Sequence, residues 1–236
     1  MRRVSLGLTA LFGICAPFSG HTQGVGFKED IATVEAQVLA AFNAARDKPA
    51  TYSDSLKVYR GFFHANIVVM PNSTTDFETE EGTVPVDEAI SFLGRHAPLE
   101  QLQPSDVLRQ AAMDHVKEQG STGRTGHFSA DGSGPAERNM RHGGGKQVAE
   151  VIAYGATDAV DVIRQLIVDD GVRDRGHRVI MFADHLRYAG VACGPHPEFG
   201  TMCVIDMADT PDGKPGSGKP PLRKVQVAAM DGTKPE

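Results

Sequence analysis

The stretch YAGVACGPHPEFGTMCVIDM, residues 188–207, contains two short β-type runs joined by a Gly/Pro-rich connection. This pattern is typical of a β-hairpin with a longer loop. A hairpin would bring Cys193 and Cys203 together across its two strands. The two residues could form a disulfide or remain buried thiols. A two-cysteine metal site is disfavoured, because the spacing fits no common zinc pattern.

The first 24 residues, MRRVSLGLTALFGICAPFSGHTQG, have the features of a secretory signal peptide. Two arginines come first, and the apolar run over 4–16 is too short to span a bilayer. We therefore expect a secreted or periplasmic protein; the alternative is a disordered or membrane-proximal N-terminus. Cys15 lies in this leader, so export would leave two cysteines, and an oxidising compartment favours a disulfide between Cys193 and Cys203.

Composition limits the classes of partner. The formal net charge of −6 argues against nucleic acid, because phosphate binding requires a positive surface. Tryptophan is absent and aromatic residues make up 6% of the chain, so stacking platforms for bases are scarce. No segment after the leader is apolar enough for a membrane span. We expect a small molecule, a lipid or a protein as partner.

The elements that precede the hairpin indicate the fold class. Helices come first and are followed by a helix framed by strands, an order that favours an α+β fold over a doubly wound parallel sheet. The predicted helices cover residues 28–49, 84–98, 103–120 and 157–171, and the predicted strands cover 148–155, 177–182, 188–194 and 201–207.

The remaining segments are predicted to be irregular. Residues 50–82 read as a polar connection, and residues 120–146 as a long Gly-rich loop with one turn of helix at 135–141. Loops of this length inside a domain are usually functional. Residues 209–236 are rich in Pro, Gly and Lys and are predicted to form a flexible tail.

Several polar residues break local structural rules. Glu150 interrupts an apolar strand, and Asp169 and Asp170 end a helix, where the helix dipole disfavours carboxylates. His127 lies in the Gly-rich loop, and His177 follows Asp170 after a short turn. Such violations concentrate at functional sites, although each residue could also be a solvated side chain. If they converge, the histidines could bind a divalent cation such as zinc, or the group could position a water for general-base chemistry.

The order of motifs resembles the CAP family, which includes the cysteine-rich secretory proteins and the plant pathogenesis-related proteins of group 1. The similarity is greatest to its bacterial secreted branch and covers about residues 30–208. The segment AEVIAYG stands where the family has a Gly-Glu-Asn-Ile motif. The matching segments are NAARDKP (43–49), EGTVPVDEAISFL (81–93), LRQAAMDHV (108–116), GH (126–127), AEVIAYG (149–155), GHR (176–178), YAGVACGPH (188–196) and TMCVIDM (201–207).

The resemblance implies an α–β–α sandwich with a central antiparallel sheet flanked by helices. The domain would cover residues 28–208, with a core at 104–208 and an N-terminal helical extension at 28–103. The family's cavity of two histidines and two acids binds zinc or another divalent cation in several members. The corresponding residues are His127 and His177 as metal ligands and Glu150 and Asp169 as the acids, with Asp170 as a near alternative to Asp169.

Two departures from the family pattern bear on metal affinity more than on the fold. Ala149 and Val151 replace the glycine and asparagine of the motif, so we expect the support around Glu150 to differ from that in relatives. Asp169 stands where the family usually has a glutamate, which is one methylene longer.

The resemblance favours a ligand-binding module for lipids or sterols, or an interaction module, rather than an enzyme. The alternative is a hydrolase of peptides or esters that uses metal-activated water or Glu150 as a general base, with Glu150 and Asp169 as candidate catalytic groups. Among the other residues, His115 is expected in the core, His196 in a turn, and Arg175 on the surface.

Overall fold

The computed structural model describes residues 26–71 and 76–216. The predicted signal peptide, residues 1–24, and residues 217–236 of the predicted tail lie outside this range. The helices are α1 (Ile31–Asp47), α2 (Pro49–Arg60), α3 (Val84–Arg95), α4 (Asp106–Thr122), α5 (Pro135–Arg141), α6 (Ala159–Val168) and α7 (Gly176–Met181). The strands are β1 (Phe63–His64), β2 (Ile67–Val68), β3 (Phe77–Glu78), β4 (Gln103–Pro104), β5 (Ala149–Tyr154), β6 (Tyr188–His196) and β7 (Gly200–Ala208).

The predicted hairpin forms the centre of the main sheet, whose strand order is β4-β6-β7-β5. Strands β6 and β7 pair antiparallel over their full lengths, and β5 adds antiparallel to β7. The short β4 pairs in parallel with the start of β6, so the sheet is antiparallel except at this edge. Strands β1, β2 and β3 form a separate small antiparallel sheet.

Alternation along the strands gives the main sheet two buried faces. Val151, Ile205 and Val191 lie on one face and join the larger core, which includes residues of α1 and α6. Ile152 and Val204 lie on the other face and pack with residues of α4. Helices therefore cover both faces, and the predicted α+β fold, an α–β–α sandwich, is confirmed.

Glycines of β6 allow α4 to lie close against the sheet. A Cβ atom at Gly190 would overlap the backbone nitrogen of Arg109 in α4, and one at Gly194 would lie 2.6 Å from the Val116 side chain. A strand glycine commonly marks such a close approach. The contact fixes the depth of α4 above Glu150 and Asp206, which lie opposite each other in β5 and β7.

The predicted disulfide between Cys193 and Cys203 is confirmed. The two residues are directly opposite each other in the β6–β7 register, and their sulfur atoms are 2.03 Å apart. Both side chains are buried in the larger core. Next to the bond, Glu35 of α1 accepts a hydrogen bond from the backbone nitrogen of Cys193, which ties α1 to β6.

Two local predictions are wrong. Residues 49–60 form α2, with Pro49 in its first turn, where a missing N–H costs nothing. The run HRVIMF belongs to the short helix α7, not to a strand. Arg178, the second residue of this run, is buried and donates hydrogen bonds to the carbonyl oxygens of Ile167 and Val168 at the end of α6. Satisfying those carbonyls favours a helical turn over an extended strand.

The start of the predicted tail packs against the domain. The backbone nitrogens of Gly145 and Gln147 donate to the carbonyl oxygens of Asp212 and Gly213, so the packed part of the chain extends past residue 208. Within the described ranges, no helix has both the length and the apolar character needed to cross a membrane.

Replacement of Gly190 by alanine should lower the free energy of unfolding by about 3 kcal/mol, because the new Cβ would force α4 off the sheet. Urea denaturation measures the change. Gly94→Ala in α3 is the matched control, since its nearest new contact is the Ser53 hydroxyl at 3.9 Å. The control should unfold like the wild type or be stabilised by up to about 1 kcal/mol. Equal free energies of unfolding in the two variants would contradict the close approach of α4 to β6 at Gly190.

Removal of the disulfide by Cys193→Ala/Cys203→Ala should lower the free energy of unfolding by about 2–4 kcal/mol, because the unfolded chain gains freedom. Denaturation of the oxidised wild type and of the variant, each with and without reductant, checks this. Reductant should bring the wild type towards the variant and leave the variant unchanged. An unchanged midpoint in the double variant would show that the bond adds no stability.

Candidate functional site

Glu150 and His127 form the first of two histidine–carboxylate pairs. Glu150 lies on β5, on the face covered by α4, and its side chain is almost fully buried. Its Oε1 atom is 2.9 Å from Nδ1 of His127, which precedes α5 in the Gly-rich loop. Glu150, the acid that interrupts an apolar strand, therefore has a specific hydrogen-bond partner in His127.

The second oxygen of Glu150 is held by Arg138, a fully buried side chain of α5. Nη2 of Arg138 donates to Oε2 of Glu150, and Nη1 donates to the backbone carbonyls of His127 and Ser133, both at 3.1 Å. Burial disfavours the ionised form of Glu150, but the hydrogen bond to His127 and the charge of Arg138 outweigh it and lower the pKa of Glu150. Glu150 is therefore an anion at neutral pH.

A polar network beneath the loop fixes the residue before His127. Gln119 donates its side-chain amide to the carbonyl oxygen of Gly126 at 2.7 Å, and Nε2 of His115 lies 2.8 Å from the same oxygen. The backbone nitrogen of Gly126 donates to the Tyr154 hydroxyl, which in turn donates to Gln119. Burial raises the pKa of Tyr154 to about 12, so this hydroxyl keeps its proton. The conformation of Gly126, with φ of 91°, requires a glycine.

The sequence predicted that His115 lies in the core, but it did not predict that His115 supports the loop at Gly126. Burial lowers the pKa of His115, so the ring stays neutral at neutral pH. Gln119 was missed although it lies one helical turn after His115, on the same face of α4. Arg138 was also missed, because nothing in the Gly-rich segment distinguishes it from the exposed Arg141 nearby.

Asp169 and His177 form the second pair. Asp169 ends α6 in a left-handed conformation, with φ of 59°, and is 3% exposed. Its carboxylate accepts from the backbone nitrogen of His177 at 2.9 Å and lies 2.6 Å from Nδ1 of the same residue. The acid at the end of α6 is thus stabilised by the first turn of α7.

Asp170 does not belong to the site. Its carboxylate accepts hydrogen bonds from the backbone nitrogens of Glu80 and Glu81, at 2.7 and 3.0 Å, and fastens the segment before α3 to the α6–α7 turn. The expected surface charge of Arg175 is also wrong. Arg175 is 8% exposed, and its guanidinium donates to Glu81 and Glu88. Like Asp170, it therefore connects the α6–α7 turn to α3 and the segment before it.

The two pairs face each other. The rings of His127 and His177 have centroids 6.5 Å apart and planes inclined at 49°. Their side chains are partly exposed, whereas the acids behind them are almost completely buried. Each acid engages Nδ1, and neither Nε2 atom forms a hydrogen bond with another residue in 26–71 or 76–216. His127, Glu150, Asp169 and His177 are therefore gathered in one place, with two imidazole nitrogens available.

The donor chemistry of this arrangement fits a divalent cation. A carboxylate on Nδ1 fixes the ring orientation and tautomer that leave Nε2 free to bind a metal. The described residues contain no group of three or more His, Cys, Asp or Glu side chains close enough to hold an ion, so the candidate ligands among them are the two Nε2 atoms. Two rings sharing a zinc ion at about 2.1 Å from each nitrogen would have centroids about 5 Å apart, so the rings must approach slightly.

These features define a class of protein: an α+β sandwich in which two partly exposed histidines, each fixed by a buried acid, face each other. A sequence model of the cysteine-rich secretory protein family, CAP, matches residues 39–207, which is more than half of the chain. The chain belongs to this family, and the resemblance seen in its motifs is confirmed.

Among solved structures, an extracellular protein of Bacillus anthracis containing an SCP domain is 18% identical, with a TM-score of 0.40 over 46% of this chain and 34% of that chain. An outer surface protein of Borrelia burgdorferi is 15% identical, with a TM-score of 0.39 over 46% of this chain and 77% of that chain. The match thus spans about a third of the Bacillus protein. No curated protein matches the chain.

Arg138→Met should lower the free energy of unfolding by about 3–5 kcal/mol, because it leaves the buried charge of Glu150 without its counterion. Arg141→Met, on the same helix but half exposed, is the control and should change it by less than about 1 kcal/mol. Adding Glu150→Gln to Arg138→Met should restore part of the loss in urea denaturation. A loss in the double variant equal to the sum of the two single losses would contradict a coupled pair.

Proposed function

We propose that this protein is an exported ligand-binding module in which His127 and His177 bind a divalent cation, zinc, through their Nε2 atoms. The observation that carries the proposal is the engagement of both Nδ1 atoms by buried carboxylates. A metal-binding histidine usually has such a partner, because the carboxylate orients the ring and makes the free nitrogen more basic. The leader and the disulfide support export.

The hydrogen bonds of the Glu150 and Asp169 carboxylates favour ligand binding over hydrolysis as the function. Both oxygens of Glu150 are occupied, one by His127 and one by Arg138. Both oxygens of Asp169 are occupied by atoms of His177. A general base needs an oxygen within reach of a water or substrate proton. We therefore assign Glu150 and Asp169 to the positioning of the histidines.

The surroundings of the histidines favour an amphiphilic ligand, such as a lipid. Two protein nitrogens leave coordination positions of a cation open to an oxygen of a ligand headgroup. A large apolar side chain also directly follows the first histidine in the chain: Phe128 is 58% exposed. An exposed apolar side chain next to a polar metal ligand matches a molecule with an oxygen-containing head and an apolar tail.

Zinc binding should depend on the two histidines. After equilibrium dialysis against zinc, the wild type should retain a stoichiometric amount of metal by elemental analysis, whereas His127→Ala/His177→Ala should retain almost none. His185→Ala is the control, because His185 also neighbours an aspartate, Asp184, but lies outside the site. Equal zinc content in the wild type and the double variant would overturn the assignment of the metal.

Ligand binding is tested separately with a fluorescent fatty acid. The zinc-loaded wild type should bind the probe, and chelation or His127→Ala/His177→Ala should weaken binding at least tenfold. Phe128→Ser should weaken probe binding while leaving the zinc content unchanged. Probe binding that is insensitive to all of these changes would place the lipid elsewhere, and an absence of binding would contradict an amphiphilic ligand.

A further inference from the structure

Asp206 lies directly behind the first histidine–carboxylate pair. It faces Glu150 in the β5–β7 register and Gly190 in the β6–β7 register, so it occupies the middle of a three-strand row under α4. The residue is completely buried. A carboxyl group in this position is unusual, because ionised carboxylates are almost never fully buried without a partner.

The carboxyl group of Asp206 lacks a donor. Among residues 26–71 and 76–216, neither of its oxygens has a hydrogen-bond donor as a partner. The residue directly opposite it on β5 is Glu150, whose carboxylate is itself an acceptor. An ionised Asp206 would therefore place two acceptors against each other in the interior, which costs several kcal/mol without a proton between them.

The surrounding groups do not remove this conflict. Arg138 faces the pair from α5, and its terminal nitrogens donate to Glu150 and to backbone and hydroxyl oxygens. Its buried Nε has no hydrogen-bond partner among the described residues, so it does not donate to Asp206 either. The neighbouring position on β6 is Gly190, which has no side chain. Burial, reinforced by the negative charge of Glu150, raises the pKa of Asp206 well above its ordinary value. A proton on Asp206 supplies the donor that the geometry lacks.

We propose that Asp206 is a neutral, protonated carboxylic acid that donates a hydrogen bond to Glu150 and thereby acts as a positioning residue for His127. Glu150 then receives His127, Arg138 and Asp206 from three directions, and its carboxylate cannot rotate away from the ring. No hydrogen bond joins Asp206 to either histidine in the described part of the chain, and its role does not require that a metal binds. Among residues 26–71 and 76–216, the carboxylate of Asp169 accepts hydrogen bonds from His177 alone, so the support of His127 would be one residue deeper.

Infrared spectroscopy tests the protonation of Asp206 directly. At neutral pH ordinary carboxyl groups are ionised, so the carbonyl band of a protonated carboxylic acid should stand out in the wild type. The band should disappear in Asp206→Asn and persist in Asp184→Asn, in which a highly exposed aspartate is replaced. A wild type without this band, or a band that persists in Asp206→Asn, would overturn the proposal and indicate an ionised Asp206 paired in another way.

The positioning role is tested by rescue. Asp206→Asn keeps a donor towards Glu150 at nearly the same volume, whereas Asp206→Leu removes it. We expect the NMR chemical shifts of the His127 ring to stay near the wild type in the asparagine variant and to move in the leucine variant, with the His177 ring unchanged in both. Unchanged His127 shifts in a folded leucine variant would overturn the role.

If the leucine variant fails to fold, the asparagine variant alone decides. A donor at position 206 should keep its melting temperature at or above that of the wild type, and its His127 shifts should match. A strongly destabilised asparagine variant would show that position 206 needs a carboxylate and would overturn the proposal. These readouts need no metal, so they can succeed even if zinc binding fails.

Discussion

The ion pair between Glu150 and Arg138 is the interaction on which the first half of the site depends. A buried charge pair is costly unless its remaining hydrogen-bonding capacity is satisfied. Here Nη1 of Arg138 donates to the carbonyl oxygens of His127 and Ser133, which belong to the Gly-rich segment, while its buried Nε has no partner among the described residues. The pair therefore orders a loop that has little apolar surface of its own. The position of His127 follows from this electrostatic requirement, not from packing of its ring.

The second half of the site is built differently. The carboxylate of Asp169 accepts a hydrogen bond from the backbone nitrogen of His177, at the start of α7, and also engages the His177 ring. The short turn between α6 and α7 therefore positions the second imidazole. Strand β5 is an edge of the main sheet, which leaves room for α7 beside it. The site thus lies where an edge strand meets the end of a helix pair. One histidine is fixed by long-range charge pairing and the other by a short turn, so damage to one should leave the other in place.

The sequence predicted the parts of the structure in which a residue conflicts with its immediate neighbours. Glu150 in an apolar strand and Asp169 at a helix end both required partners, and both have them. Arg138 and Arg175 could not be recognised, because their partners are distant in the chain and their local context resembles a surface. HRVIMF was misread because six residues are too few to separate helical from extended periodicity. Asp206 breaks the same rule as Glu150, so the signal was present in TMCVIDM and the same reasoning would have identified it.

The geometry also explains why the departures from the family motif leave Glu150 supported. Val151 stands where the family has asparagine, but side chains alternate along β5, and Val151 points into the larger core on the opposite face. A change at position 151 therefore alters packing against α1 and α6 without touching the acid. The support for Glu150 comes from α5 and β7 instead, through Arg138 and Asp206. Loss of the asparagine is consequently compatible with an intact His127 site.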